Sequence, residues 1–115
     1  MTEPLLQRHA DIRWRPTGEA GIDWAFLRRN DRKGGTTLLR LAAGATFPEH
    51  VHPAGEEVFV IHGRIRVGEH LLEAGDYLFT PPGIAQHGQA VDDTIVLMTT
   101  ALPIEPAPRP RVPGP

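Results

Sequence analysis

The chain contains no cysteine, which excludes disulfide bonds, thiolate metal sites and cysteine nucleophiles. No hydrophobic run approaches the roughly 20 residues that would span a bilayer. The N-terminal stretch also lacks the apolar core of a signal peptide. A formal net charge of -2 provides no basic excess for binding nucleic-acid phosphates. From these absences we expect a cytoplasmic protein that binds neither nucleic acid nor membrane.

Glycine and proline are abundant instead, with 12 of each among 115 residues, and this composition favours many turns and few long helices. Short runs of β-branched, aromatic and other apolar residues recur between the turn signals, which predicts an all-β sandwich or barrel. The predicted strands cover residues 22–26, 36–41, 58–61, 64–67, 71–72, 77–80, 87–91 and 95–100.

The length corresponds to one domain. We expect an N-terminal arm over residues 1–20, a single β-domain over 21–102 and a proline-rich tail over 103–115. Trp14 is predicted to pack one large ring against the domain or against a partner subunit. Six of the 13 tail residues are proline, which cannot donate to a sheet ladder, so the tail is expected to lie outside the core.

The segment Gly44 to Gly63, GATFPEHVHPAGEEVFVIHG, carries the strongest chemical signal in the chain. His50 and His52 are two residues apart, so on a strand both imidazoles leave the backbone on one side. A turn at 53–55 then leads into a second strand that begins with two carboxylates, Glu56 and Glu57. A fold-back would bring one carboxylate to the histidines. Two imidazoles and a carboxylate form a ligand set for zinc, iron, nickel, manganese or copper.

This segment resembles the first motif of the cupin superfamily, G-x5-H-x-H-x3,4-E-x6-G, at every fixed position. The second motif, G-x5-P-x-G-x2-H-x3-N, is met by Gly75, Pro81 and Gly83. Gln86 then occupies the position of the histidine, and His87 follows one residue later. The phrases HPAGEEVFVIHG and AGDYLFTPPG are similar to the branch of small single-domain cupins found in anti-sigma factors and in diketone or acetophenone dioxygenases.

The resemblance implies a conical jelly-roll barrel, or double-stranded β-helix, that forms homodimers and holds one divalent transition metal such as Fe, Zn, Ni or Mn. Carried over by position, the ligands are His50, His52, Glu56 and His87. A β-bulge after Gly83 would absorb the one-residue shift and aim His87 at the metal. The alternative is a site with three protein ligands, in which Gln86 lies near the metal as an oxygen donor and His87 points away.

Strand alternation favours Glu56 over Glu57 as the carboxylate ligand. With Glu56 inward, Val58 and Val60 also point inward, whereas Phe59 and Ile61 point to the other face. Glu57 is then expected either to hydrogen-bond a metal ligand from behind, as Gln86 could also do, or to lie on the surface. Gln89 lies two residues after His87 and is a candidate contact to a small-molecule ligand inside the barrel.

A metal held by three or four protein ligands retains open positions, which is typical of catalytic sites. The first functional hypothesis is therefore a small-molecule metalloenzyme with a non-haem, dioxygenase-like centre, and isomerase or lyase chemistry is equally compatible with the ligands. The alternative is a non-catalytic module that senses a metal or a metabolite. The fold alone does not decide between them.

Overall fold

The structure is a computed structural model that describes residues 2–101 and 105–106. Within these residues a short 3-10 helix, His9–Asp11, precedes eleven strands. The strands are β1 (Arg15–Pro16), β2 (Ile22–Arg29), β3 (Gly35–Leu41), β4 (Thr46–Val51), β5 (Glu56–His62), β6 (Arg64–Val67), β7 (His70–Glu73), β8 (Tyr77–Thr80), β9 (Ala85–Ala90), β10 (Thr94–Thr100) and β11 (Glu105–Pro106). The prediction of an all-β protein is confirmed.

Two antiparallel sheets make up the domain. Sheet A has the order β1-β2-β3-β10-β5-β8, and sheet B has the order β11-β4-β9-β6-β7. Strands β4 and β5 are consecutive in the chain but lie in different sheets, so the turn between them crosses from one sheet to the other. This crossing carries the histidine and carboxylate motif from sheet B to sheet A.

The core lies between the two sheets and is built by alternation along the strands. In β5, Glu56, Val58 and Val60 are buried, whereas Phe59 and Ile61 are exposed. This is the alternation predicted from the sequence. The apolar cluster combines side chains from both sheets: Ile22, Leu41, Val58, Val60, Ile65, Val67, Leu72, Ala90, Val96 and Met98.

The turn between β5 and β6 requires glycine at position 63. Gly63 has a φ of 84°, in the left-handed region that side chains rarely adopt. A Cβ atom here would also lie 2.2 Å from the carbonyl oxygen of Asp93. The glycine that closes the first sequence motif therefore permits both a left-handed turn and close contact with the segment before β10.

The N-terminal segment lies against sheet A. Strand β1 pairs with β2, and the Gln7 side-chain amide donates a hydrogen bond to the carbonyl of Leu27. The Trp14 ring lies 4.4 Å from the guanidinium carbon of Arg40, which also forms an ion pair with Asp23. Trp14 thus packs on the chain's own β-domain by a cation–π contact.

Only residues 105–106 of the predicted proline-rich tail belong to the described part of the chain, where they form β11 and pair with β4. The remainder of the predicted tail lies outside the described residues. No helix among residues 2–101 and 105–106 has the length and apolar character needed to cross a membrane.

Candidate metal centre

Three side chains meet where the chain crosses between the sheets. His50 lies on β4, His52 follows the end of that strand, and Glu56 is the first residue of β5. One nitrogen or oxygen atom from each residue lies within 4.8 Å of the other two. Two backbone hydrogen bonds stabilise the turn. The amides of Gly55 and Gly83 both donate to the carbonyl of His52, at 3.1 and 3.2 Å.

His52 and Glu56 form the buried part of this cluster, with 2% and 6% of their surface exposed. His52 Nε2 lies 3.2 Å from Glu56 Oε2. Among the described residues, neither Glu56 Oε2 nor His52 Nδ1 has a hydrogen-bond partner. Buried polar atoms in proteins are normally paired, so these orphaned atoms indicate a missing partner at the site.

Burial has opposite effects on the two groups because it disfavours the charged form of each. Burial, reinforced by the neighbouring His50, lowers the pKa of His52 from 6.5 to about 4. Burial raises the pKa of Glu56 from 4.5 to about 8. At neutral pH the metal-free site therefore holds a neutral imidazole next to a carboxyl group that is largely protonated.

His50 is held in one orientation by its own strand. Its Nδ1 lies 3.0 Å from the carbonyl oxygen of Pro48. Because a carbonyl only accepts, this hydrogen bond places the proton on Nδ1 and leaves the Nε2 lone pair available to a metal. The His50 ring also contacts Phe47, at 5.3 Å between centroids, and His52, at 4.4 Å in an edge-on arrangement.

A β-bulge on β4 turns the half-buried His50 onto the inner face of the strand. Phe47 pairs with Gly88 and His50 pairs with Gln86, so three steps on β4 oppose two on β9. This bulge differs from the one predicted from the sequence, which lay after Gly83. Phe47 lies so close to β9 that a Cβ atom on Gly88 would be 2.1 Å from its ring. A glycine inside a strand often marks a close approach of this kind, and Gly88 is such a glycine in the sequence.

Strand β9 does not bring His87 or Gln89 to the cluster. Both are exposed and alternate with buried Gly88 and Ala90, and no bulge interrupts β9 to turn them inward. A bulge after Gly83 was expected to turn His87 towards the metal, and the pairing of β9 with β4 shows no such bulge. His87 instead lines an open cleft with Glu49, Glu69 and His70, and Gln86 reaches the same cleft.

Gln86 lies across from His50 on β9, with its side-chain amide close to Gly68. It is the cross-strand partner of His50, so the two side chains leave the sheet on the same face. Among the described residues its Oε1 atom is buried without a hydrogen-bond partner. The side chain of Gln86 thus leaves the sheet on the face that carries His50, whereas His87 leaves it on the other.

Glu57 points away from the cluster. Its side chain is exposed on the outer face of sheet A and accepts a hydrogen bond of 2.8 Å from the Tyr77 hydroxyl. This contact raises the pKa of Tyr77. On the inner face, Glu56 has the buried Thr80 as its cross-strand neighbour on β8.

The donor set fits a transition metal. Two neutral imidazole nitrogens and a carboxylate oxygen are ligands that iron, zinc, nickel and manganese accept. A metal could be bound by Glu56 Oε2, which has no hydrogen-bond partner among the described residues, and by His50 Nε2, which the hydrogen bond at Nδ1 leaves free. When bound, such a metal supplies Lewis acidity and open positions for small oxygen ligands.

Comparison with solved structures identifies cupins. A chain in the structure of Rhodobacter sphaeroides SigE in complex with the anti-sigma ChrR is 28% identical, with a TM-score of 0.71 over 81% of this chain and 50% of that one. The present chain therefore spans about half the length of that relative. An acetylacetone dioxygenase from Acinetobacter johnsonii is 19% identical, with a TM-score of 0.73 over 90% of this chain and 76% of that one.

An RmlC-like cupin from Shewanella frigidimarina NCIMB 400 matches at 20% identity and a TM-score of 0.75, over 91% of this chain and 93% of that one. These likenesses confirm the predicted cupin jelly roll. No match was found among proteins with curated descriptions. The family described as the ChrR cupin-like domain matches residues 2–105, which include both sheets and the whole histidine–glutamate cluster. The predicted resemblance is thereby confirmed, and the chain belongs to the ChrR cupin-like domain family.

Proposed function

We propose that this cupin domain binds one divalent transition metal through His50, His52 and Glu56, with the Gln86 side-chain oxygen as the fourth protein donor. The observation that carries the proposal is the convergence of three donor atoms within 4.8 Å in the barrel interior. The two orphaned oxygens, on Glu56 and Gln86, support it. Fe, Zn, Ni and Mn all accept this donor set.

We further propose that the bound metal serves a small-molecule metalloenzyme of the dioxygenase-like kind. Four protein donors leave positions free for a substrate that carries its own oxygens. The inner faces next to Glu56 are apolar, with Val58, Val60 and Met98 buried there. Isomerase or lyase chemistry on a similar substrate is compatible with the same residues.

A second candidate function is a non-catalytic sensor of a metal or metabolite. It is favoured by the family match and by the 28% identity to a chain in the SigE–ChrR structure, because the protein in that structure is described as an anti-sigma factor. The chain's own ligands would bind the signal in the same interior site. For either function we expect a small-molecule ligand and a second copy of this chain as partners.

The first experiment is elemental analysis of the full chain purified without chelators or a polyhistidine tag. The proposal expects about one transition metal per chain in the wild type and loss of that metal in His52→Ala. A wild-type protein that neither retains nor takes up Fe, Zn, Ni or Mn would refute the metal centre.

The second experiment separates the enzyme from the sensor. Oxygen consumption is followed after anaerobic iron loading, with diketones, catechols and flavonols as candidate substrates. Turnover that is lost in Glu56→Gln supports the enzyme. Binding of such a compound to the metal-loaded chain without turnover supports the sensor.

A further inference from the structure

One row of positions on the inner face of sheet A leads from Glu56 to the hairpin between β2 and β3. The register of β10 with β5 places Thr100 beside Glu56. Thr100 pairs in turn with Gly35 on β3, and Gly35 pairs with Arg29 on β2. Cross-strand partners share a face, so Arg29 leaves β2 on the face that carries Glu56.

A bulge on β2 decides that Arg29, and not Arg28, takes this inward position. Phe26 pairs with Thr37 on β3. Two residues later Arg28 pairs with Thr36, so two steps on β2 oppose one step on β3. The strand continues in the shifted register, which turns Arg28 to the outer face and Arg29 to the inner face.

The guanidinium of Arg29 turns back along β2 and lies over the ring of Phe26. Its central carbon is 3.9 Å from the centroid of that ring. Phe26 faces inward, because its partner Thr37 also pairs with the core residue Met98. Stacking uses the flat face of a guanidinium and leaves the N–H groups at its edge available to a ligand.

The hairpin that carries Arg29 is fixed to the end of β10. The side-chain amide of Asn30 donates a hydrogen bond of 2.8 Å to the carbonyl of Ala101. The side-chain oxygen of Asn30 accepts from the backbone amides of Arg32 and Gly34, each at 2.9 Å. The position of Arg29 relative to β10 is therefore set by hydrogen bonds in the turn as well as by strand pairing.

The charge around Arg29 favours an anion. Arg29 is exposed, and its guanidinium belongs to no ion pair among the described residues. Residues 28–33 hold three arginines, one lysine and one aspartate, so the local excess of charge is positive. A metal bound at the cluster would add to it. Such a field attracts a negatively charged ligand to this end of the domain.

The separation of Arg29 from Glu56 is on the scale of a small molecule. Their backbones are three strand spacings apart, roughly 14 Å at about 4.8 Å for each spacing. Gly35 contributes no side chain between them, and Thr100 contributes one buried hydroxyl. The side chains of Arg29 and Glu56 both extend into this span, so the remaining gap corresponds to a compound with a single ring.

We propose that Arg29 binds a carboxylate on the small molecule held by the candidate metal centre, at the end of the ligand remote from the metal. Thr100 lies between the two ends and is positioned to donate a hydrogen bond to the same ligand. This inference rests on the proposed metal centre and adds a negative charge to the description of its ligand. Arg29 determines specificity in this arrangement and does not contact the metal.

The test compares two probes that differ in one group, 3,4-dihydroxybenzoate and 4-methylcatechol. Isothermal titration calorimetry measures their binding to the zinc-loaded full chain, because zinc has no redox chemistry that would consume them. Arg29→Gln is expected to weaken binding of 3,4-dihydroxybenzoate at least roughly tenfold and to leave that of 4-methylcatechol unchanged, since the ion pair exists with the carboxylate alone.

Arg28→Gln is the matched control for this comparison. It removes the adjacent exposed arginine, which lies on the outer face, and leaves the inner face intact. Its affinities for both probes are expected to equal those of the wild type. Equal weakening of 3,4-dihydroxybenzoate in the two variants would show that only the general positive field matters, and it would overturn the role of Arg29.

Zinc content and circular dichroism of the same samples separate two kinds of failure. A folded wild type that holds no zinc refutes the metal centre, and this inference falls with it. When zinc is retained, the inference alone is overturned if neither probe binds, or if Arg29→Gln weakens both probes equally. Equal weakening of both probes would show that Arg29 acts only through its packing on Phe26.

Discussion

His52 Nε2 and Glu56 Oε2 lie 3.2 Å apart in the interior, yet Glu56 Oε2 has no hydrogen-bond partner among the described residues. The pair does not behave as a salt bridge, since burial keeps the imidazole neutral and the carboxyl protonated near neutral pH. The metal-free site is thus a neutral arrangement, and metal binding requires Glu56 to release its proton.

The first prediction concerns the pH dependence of stability without metal. The lowered pKa of His52 removes stability as pH falls from 6.5 towards 4, because the unfolded chain takes up the proton first. The raised pKa of Glu56 removes stability as pH rises from 4.5 towards 8, because the unfolded chain loses its proton first. The two effects on stability oppose each other between pH 4.5 and pH 6.5. Between pH 6.5 and pH 8 only the effect of Glu56 remains.

Thermal unfolding in the presence of a chelator checks this prediction. We expect the Tm to fall between pH 6.5 and 8, and we expect Glu56→Gln to remove most of that fall. Added divalent metal should restore wild-type stability at pH 8 and leave Glu56→Gln unchanged. A wild-type Tm that is constant over this range without metal would contradict the assignment of a protonated Glu56.

The second prediction separates the two adjacent carboxylates. Glu56→Gln is expected to weaken metal binding on the order of a hundredfold or more, because the buried oxygen that releases a proton to the metal is lost. Glu57→Gln serves as the matched control, since its side chain lies on the outer face bonded to Tyr77. Competition titration with a chromophoric chelator measures the metal affinity of both variants. Equal losses in the two variants would show that the inner carboxylate has no special role.

The third prediction concerns the two candidates on β9. Gln86→Ala should weaken metal binding roughly tenfold if the side-chain oxygen contacts the metal or orients its ligands. His87→Ala should leave binding unchanged, because His87 is exposed on the opposite face. Gln86→His should strengthen binding, because imidazole is the better ligand for these metals. Metal affinity that depends on His87 and not on Gln86 would refute the register-based assignment.

The fourth prediction concerns the close approach of Phe47 to β9. Gly88→Ala places a methyl group against the Phe47 ring, so we expect a loss of about 1–3 kcal/mol of unfolding free energy from overpacking. Combining it with Phe47→Ala should recover part of that loss, because the clashing ring is removed. Chemical denaturation of the two single variants and the double variant measures the coupling. Strictly additive effects would show that the two residues do not interact.

Strand β5 illustrates what was predictable from the sequence. Its buried and exposed residues alternate from Glu56 to Ile61, so the inward direction of Glu56 followed from the apolar character of Val58 and Val60. The spacing of His50, His52 and Glu56 predicted their convergence because a short turn joins β4 to β5. Local periodicity was sufficient wherever one face of a strand is clearly apolar.

Strand β9 illustrates the limit of the same reasoning. Its sequence, AQHGQA, offers little contrast between faces, so alternation does not reveal which of Gln86 and His87 points inward. The answer depends on the pairing of β4 with β9, and in particular on a bulge between Phe47 and His50. The packing of the N-terminal segment on β2 and β3 is likewise a long-range contact that local periodicity does not encode.

The pairing of β11 with β4 has a consequence for the order of assembly. Val51 and His50 lie opposite Glu105 and Pro106, so the strand that carries a candidate metal ligand receives its second neighbour from residues far downstream. During synthesis the segment with His50, His52 and Glu56 leaves the ribosome roughly fifty residues before β11 does. A nascent chain can therefore present all three side chains while one edge of β4 still lacks a pairing strand.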